Sequence, residues 1–533
     1  PKDHDDLCWV DGIGHMIFDP EEAEQVHVYL QDRLLREYLS FPKKEKRAKS
    51  YRDIDLAQDM PDAWRAKFHG LHEEYENVFS SPADGTVTPF AGVEPVEFQF
   101  KEGTKPFRCP MPRFTDAQTQ VLYPYFDKLI KAGLAFHNPS ARTCNRPHIA
   151  LKQVHGESKM KIFDVRVCVD MTGTNVRYKK MQPNYPNTLA EIQRAAGWLR
   201  YISSDMTGQF NQIPIAEGES QDSLTCWAPR IGKVTSKVLI FGQTNAATIA
   251  QGIVREFYTE DLTLDTQAHL ASFQDDASLF AGEASDPEAV ENEDKVWAAL
   301  YARWADYLKM CAKRNVTLAP HKTHVGHSRA EFYGHEVDAE GHRQLEKNLD
   351  PIAQCAEPTN AKELRSVLGM FVQGMHRVEN YAVVARSLHG LLRKGAVWDW
   401  TPECAKAFRS IKNTLLERPF LHKPDYTKQL YLDTDASDDG KGAVLWQKDA
   451  DDKRRVISWF SKAWGQSMRD KPVYYRECEA MYWGLSKVKF HAQAAHLPLI
   501  VRIDQNALRW ARHSTKGMVT KWRVELAGDM DYV

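Results

Sequence analysis

Residues 270–280, LASFQDDASLF, set two adjacent carboxylates, Asp275 and Asp276, between short apolar runs. Like charges side by side repel, and burying them unpaired costs on the order of several kcal/mol. The alternation on either side predicts two strands joined at the acidic pair, a hairpin carrying both carboxylates at or beside its turn. For an isolated Asp pair, turn chemistry is the commoner explanation. The apolar flanks argue for something more, and so does Asp205, which ends a second strand-like run, YISSD. Three carboxylates on converging strand ends would neutralise two Mg²⁺ ions about 3.5–4 Å apart, the arrangement that serves in-line phosphoryl transfer. Mg²⁺ takes hard oxygen ligands and keeps some water, so a few carboxylates plus substrate phosphates suffice.

At 533 residues the chain is long enough for three or four domains. Its net charge of −2 argues against a generic polyanion binder, but the distribution is uneven. Residues 151–180 carry seven Lys/Arg against three acids, while 283–294, EASDPEAVENED, is strongly acidic. A neutral total therefore leaves room for one basic groove. No run approaches the ~18 apolar residues of a membrane span, so no membrane partner is expected. The nine cysteines form no CxxC or framework spacing, which predicts reduced thiols in an intracellular setting. A start at Pro1 and an end at Val533 within a patterned segment suggest a piece of a longer polypeptide.

TDAQTQVLYPYFDKLIKAGLAF predicts a helix capped at Thr115 or Asp116, and IFDVRVCVD a strand. YISSD and FNQIPI read as short strands flanking a bend, VWAALYARWADYLKMCAKR as a helix, and EFYGHEV as a strand or hairpin. NAKE at 360–363 has the form of a capping box, and Thr401-Pro402 opens another helix. Three strand-like runs (QLYLDTDAS, GKGAVLWQ, RRVISWFS), a helix (YYRECEAMYWGLSKVKF) and the strand LPLIVRID then give an α+β domain of roughly a hundred residues. Within it Asp435, Glu477 and Asp504 form a second carboxylate constellation. Glu477 shares a helical face with Met481, Gly484, Leu485 and Val488, which points it toward the packed surface carrying Asp435.

These segments fall in a recognisable order: RVCVD, SSDMTGQFNQIPI, FGQTNAATIAQ, FQDD, FYGHEV, AKELRSVLGMF, WDWTPECAKAFRSIK and LDTDASDDGKGAVLWQ. From about Leu71 onward the chain resembles the Pol polyprotein of gypsy-type LTR retrotransposons, in its reverse transcriptase and ribonuclease H parts. The resemblance implies an α+β, multidomain fold: a right-hand polymerase of fingers, palm and thumb/connection, followed by a C-terminally truncated ribonuclease H-like α/β domain. The boundaries it suggests are 1–65 as linker or upstream tail and 66–345 as fingers and palm. Thumb and connection follow at 346–427, and the ribonuclease H domain at 428–533.

The resemblance also implies roles. Asp205, Asp275 and Asp276 match polymerase metal ligands, and Asp435, Glu477 and Asp504 match three ribonuclease H ligands, each site taking two Mg²⁺ with Mn²⁺ as a substitute. The fourth acidic position of that second site lies downstream of this chain. Lys159 and Arg166 match fingers cations that contact the triphosphate. Phe210 matches the aromatic under the incoming sugar, whose bulk disfavours a 2′-hydroxyl. Phe241 and Gly242 belong to the segment beneath the template–primer, where a missing side chain permits close approach. Tyr333 and Gly334 match the segment that holds the primer end. Partners implied are an RNA or DNA template–primer, dNTPs, an RNA–DNA hybrid, and the protease and integrase segments of a parent polyprotein. The implied setting is a cytoplasmic virus-like particle or the nucleus.

Departures from the pattern are Phe273 where Tyr is usual, Ile240 where Pro is common, and Met171-Thr172 in place of an aromatic–Arg pair. His321, His324 and His327 in HKTHVGH have ligand-like spacing, but the run matches the strand ahead of the primer-holding segment. Surface histidines are therefore expected there rather than a zinc site. Two other readings stay open: a non-catalytic nucleic-acid-binding relic, and a hydrolase in which only the ribonuclease H half works.

Overall fold

The computed structural model describes residues 7–8, 16–17, 32–40, 49–79, 87–155, 161–183 and 185–503. Its centre is a five-stranded sheet in the order Leu270–Phe273, Asp276–Glu283, Trp198–Asp205, His324–His327, Asp55–Leu56, antiparallel except for the last pair. Side chains alternate across this sheet, which separates its two faces. Ile202, Ala277, Leu279 and Ala281 join the largest core. That core is backed by the helix Glu293–Arg314, whose Trp297, Leu300, Trp304, Tyr307 and Leu308 are fully buried. On the opposite face Tyr201 and Phe280 pack with Ile192, Ala195, Phe332 and Val337 in a smaller cluster.

The expected hairpin is present. Phe273 pairs with Asp276 across a two-residue connection, Gln274-Asp275, with Gln274 at φ 52°. EFYGHEV is a hairpin too: Arg329–Phe332 and His335–Asp338 join through Tyr333 and Gly334, both at positive φ, as a type I′ turn requires. FNQIPI is not a strand. Gln209–Gln212 forms a 3₁₀ turn, followed by isolated bridges from Pro214 to Val238 and Ile215 to Val96. The turn enters through Gly208 in the left-handed region, a local feature that periodicity does not reveal.

Ahead of the central sheet lie the helix Asp116–Lys131, the ribbon Arg146–His155/Lys161–Asp170, and a three-stranded sheet of Ala135–His137, Gly232–Ser236 and Thr225–Ala228. Thr115 is the cap of that helix, closing a box with Gln118. Residues 49–65, expected as linker or tail, contribute Ile54, Ala57, Met60 and Trp64 to the largest core. The helix Asp62–Glu74 runs across residue 65.

Beyond the sheet, Ala361–Val372 and Pro402–Leu416 are capped by Asn360 and Thr401 as expected, and they share a separate core. A last four-stranded sheet has the order Arg454–Ala463, Gly440–Lys448, Tyr431–Ala436, Ile500–Ile503, the final pair parallel. The helix Val473–Ala494 covers it so closely that a Cβ on Gly484 would fall 2.9 Å from Thr434 Cγ2. Among the described residues no helix is long and apolar enough to cross a membrane. Cys109, Cys144, Cys168, Cys226, Cys311, Cys355, Cys404 and Cys478 are free thiols.

Candidate active site

Asp276 and Asp205 are direct cross-strand partners. They therefore share a face of the sheet, the one that carries Tyr201 and Phe280. Asp275 precedes them in the hairpin turn, and its carbonyl accepts the Met206 N–H at 2.9 Å. That bond fixes the turn against the residue after Asp205. A second constraint holds the turn from outside: the Gln274 N–H donates to Gln251 Oε1 at 2.7 Å, from the helix Ala246–Asp261. Three acids separated by seventy residues of sequence thus meet at one end of two strands.

The charges respond to this crowding. Surrounding protein, then the charges of Asp275 and Asp205, push Asp276 up to about 6, although its side chain still touches solvent. Burial and Asp205 raise Asp275 as well, with Arg166 and Lys322 acting the other way. Lys322 Nζ donates to Asp205 Oδ1 at 2.9 Å. Lys347 acts on Asp276 in the same direction as Lys322, and the three carboxylates' oxygens do not all lie within 4.8 Å of one another. A floor with excess negative charge of hard oxygen type fits divalent cations of the Mg²⁺ kind.

A cleft of about 700 Å³ opens over this floor, lined by Asp205, Asp276, Lys322, Tyr333, Gly334 and Lys347 among others. The Tyr333 ring packs on Phe273 with centroids 4.4 Å apart, and Tyr185 meets Phe273 edge-on at 5.8 Å. Tyr333 holds φ 51°, costly for a bulky side chain and fixed by its turn. Phe210 leans on the half-exposed Phe241 ring at 4.8 Å. Gly242 has φ 107°, and a Cβ there would lie 2.3 Å from the Val169 carbonyl oxygen. Its missing side chain thus already serves a contact inside the chain. Arg166 is exposed on the ribbon strand; Lys159 lies outside the described residues. Lys322 and Gln251 were missed by sequence reasoning. Gln251 ends a quoted motif, yet nothing in the linear order pairs it with Gln274.

In the last sheet Asp435 is exposed near the end of its strand, and Glu477 is 5% exposed near the start of the covering helix. Arg476 draws these segments together, donating to the Ser437 carbonyl at 3.0 Å and pairing with Asp438 at 2.7 Å. Ile503, just before Asp504, is the parallel partner of Thr434, just before Asp435. Asp504 itself lies outside the described residues.

With this geometry established, similarity to known proteins is specific. Residues 400–497 match the RNase H-like domain found in reverse transcriptase. Across 421 residues, 78% of this chain, it is 23% identical to the Transposon Tf2-3 polyprotein of Schizosaccharomyces pombe, and equally to the Tf2-4 polyprotein. Its relatives are retrotransposon polyproteins. The chain spans 29% of the length of these curated relatives. Among solved structures, a foamy viral protease-reverse transcriptase in complex with double-stranded DNA superposes with TM-score 0.67 at 15% identity, covering 89% of this chain and 94% of that one. Another, in complex with an RNA/DNA hybrid, gives 0.63 at 15% identity over 88% and 59%. The retrotransposon Pol likeness thus extends to the fold, a reverse transcriptase polymerase with an RNase H-like domain after it, as the order of motifs implied.

Proposed function

We propose that this chain is an RNA-directed DNA polymerase, joining dNTPs to a primer 3′-hydroxyl on an RNA or DNA template. The observation that carries this reading is the cross-strand pairing of Asp205 with Asp276, with Asp275 in the adjoining turn. Those three carboxylates would hold divalent cations, which when bound supply activation of the hydroxyl and neutralisation of the triphosphate. The primer 3′-oxygen attacks the α-phosphorus, the α–β bond breaks, and pyrophosphate leaves. Arg166, whose charge already reaches Asp275, contacts the triphosphate. Phe210, braced by Phe241, lies under the sugar and leaves no room for a 2′-hydroxyl. The Tyr333–Gly334 turn, fixed on Phe273, holds the primer end beside Asp276. Double-stranded DNA and RNA–DNA hybrid, the ligands of the fold neighbours, are the partners this reading requires.

The match over 400–497 and the placement of Asp435 and Glu477 support an attached ribonuclease H activity on the RNA strand of such a hybrid. The separate cores support fingers and palm up to about residue 345, thumb and connection to about 427, and the ribonuclease H-like domain thereafter.

Primer extension on poly(rA)·oligo(dT) with Mg²⁺ tests the proposal. The parent chain is expected to extend the primer, and Asp275→Asn to fall by at least about a hundredfold. Equal extension by the variant would remove the site assignment. Salt-dependent hybrid binding without any Mg²⁺-dependent product would identify a binding relic instead. RNA cleavage without incorporation would leave only the hydrolase.

A further inference from the structure

We propose that Asp55, His324 and His327 form a second metal site, for a zinc-class transition-metal ion, at the edge of the same cleft. Surface histidines are expected here from the match of the run to a family strand, and residues 324 and 327 of a regular strand would point to opposite faces. The structure breaks that alternation. The register of the His324–His327 strand against Trp198–Asp205 slips at Gly326, so that His324 pairs with Ser203 and His327 with Tyr201. Both partners lie on the face that carries Asp205, so the bulge turns both imidazoles onto one side. Only glycine fits the bulge: it holds φ 81°, and a Cβ would fall 2.6 Å from the Trp297 ring and 2.8 Å from Met60 Cε. Asp55 completes the group from the parallel edge strand, where it is the register partner of His324.

The three side chains converge on one point. Asp55 Oδ2 lies 2.9 Å from His324 Nδ1 and 3.0 Å from His327 Nε2, and the three donor atoms all lie within 4.8 Å of one another. Tetrahedral coordination at about 2.0–2.2 Å sets neighbouring ligand atoms roughly 3.3 Å apart, so small side-chain rotations admit an ion. His327 Nε2 is shielded from solvent yet makes no hydrogen bond, despite its nearness to the carboxylate. Two imidazole nitrogens and one carboxylate oxygen suit Zn²⁺, Co²⁺ or Ni²⁺, and the two imidazoles disfavour Mg²⁺, which takes hard oxygen ligands. Asp55 and His324 remain half exposed, which leaves the fourth position to water. The ion would clamp the edge strand near residue 55 to the sheet, two residues along from the strand end that carries Asp205.

The test is a Co²⁺ titration of the full chain, freed of metal by chelator and then kept in saturating Mg²⁺. One equivalent is expected to bind, with visible absorption bands that stoichiometric Zn²⁺ abolishes. His324→Gln and His327→Gln should each weaken Co²⁺ binding by more than about tenfold, and Asp205→Asn should change it by less than about twofold. X-ray absorption of the Zn²⁺-loaded parent chain needs no variant, and should show two imidazoles with oxygen neighbours. The proposal is overturned if the parent chain binds no Co²⁺, if both histidine variants bind it unchanged, or if the zinc spectrum shows sulfur ligands.

Discussion

Asp276 carries the largest electrostatic burden of the candidate active site. Its folded-state value of about 6 lies above the ordinary 3.8, so the native state holds the proton more tightly than the unfolded chain. Stability from this group is therefore lost as pH rises from about 4 to 6, and stays lost above that. Asp276→Asn cannot ionise. In chelating buffer its urea midpoint should gain on the parent as pH climbs through this window, then run parallel. A difference that is constant from pH 4 to 8 would refute the account. Mg²⁺ at pH 8 should close the gap, because only the parent has the full set of anions to offer it. Residue identity made this legible: paired Asp between apolar runs already signalled an unsatisfied charge. Lys322 was not legible, because it lies 117 residues from Asp205 in the chain and meets it only once the strand that follows Lys322 is laid beside the strand that ends in Asp205.

Among the elements, legibility followed local chemistry. Thr115, Asn360 and Thr401 announce their helices because a capping side chain reaches only the next turn, and all three do cap. The Gly326 bulge was illegible, since HVGH reads as plain alternation until the Trp297 ring is found beneath it. Gly242 falls between these cases. Its segment was expected to allow close approach of nucleic acid, whereas its nearest demand is the Val169 carbonyl of the ribbon. Asn175 Nδ2 donates to the Gly242 carbonyl at 2.8 Å and fixes the loop there. Gly242→Ala must move backbone and hold φ 107°, so it should cost about 2–4 kcal/mol of folding stability by urea denaturation. Normal stability with weaker template–primer binding would instead assign the glycine to the ligand alone.

Across the whole molecule, separate apolar cores are bridged by a few buried polar contacts, and such long-range contacts are what a linear pattern cannot show. Lys423 is the clearest. It lies between the strand Leu421–His422 and the last sheet, yet its Nζ donates to the carbonyls of Gln193 and Ala196, at 3.2 and 3.0 Å, beside the central sheet. Gly197, at φ 86°, makes room: a Cβ there would meet Lys423 Cγ at 2.6 Å. Burial lowers this lysine to about 8, with Arg194 acting in the same direction and Glu283 opposing. The native chain therefore gives up the proton near pH 8, whereas the unfolded chain keeps it to the ordinary 10.5. Between those values the unfolded state binds more protons, so this group's contribution to stability rises with pH. Lys423→Met lacks the titration. Comparing unfolding free energies at pH 7.5 and 9.5, the parent should gain on the variant by at most about 2 kcal/mol. Other titrating groups are common to both chains and cancel in the difference. A gap that stays fixed between the two pH values would mean that the ammonium is solvated, and that the contact between the central sheet and the C-terminal half does not rest on a buried lysine.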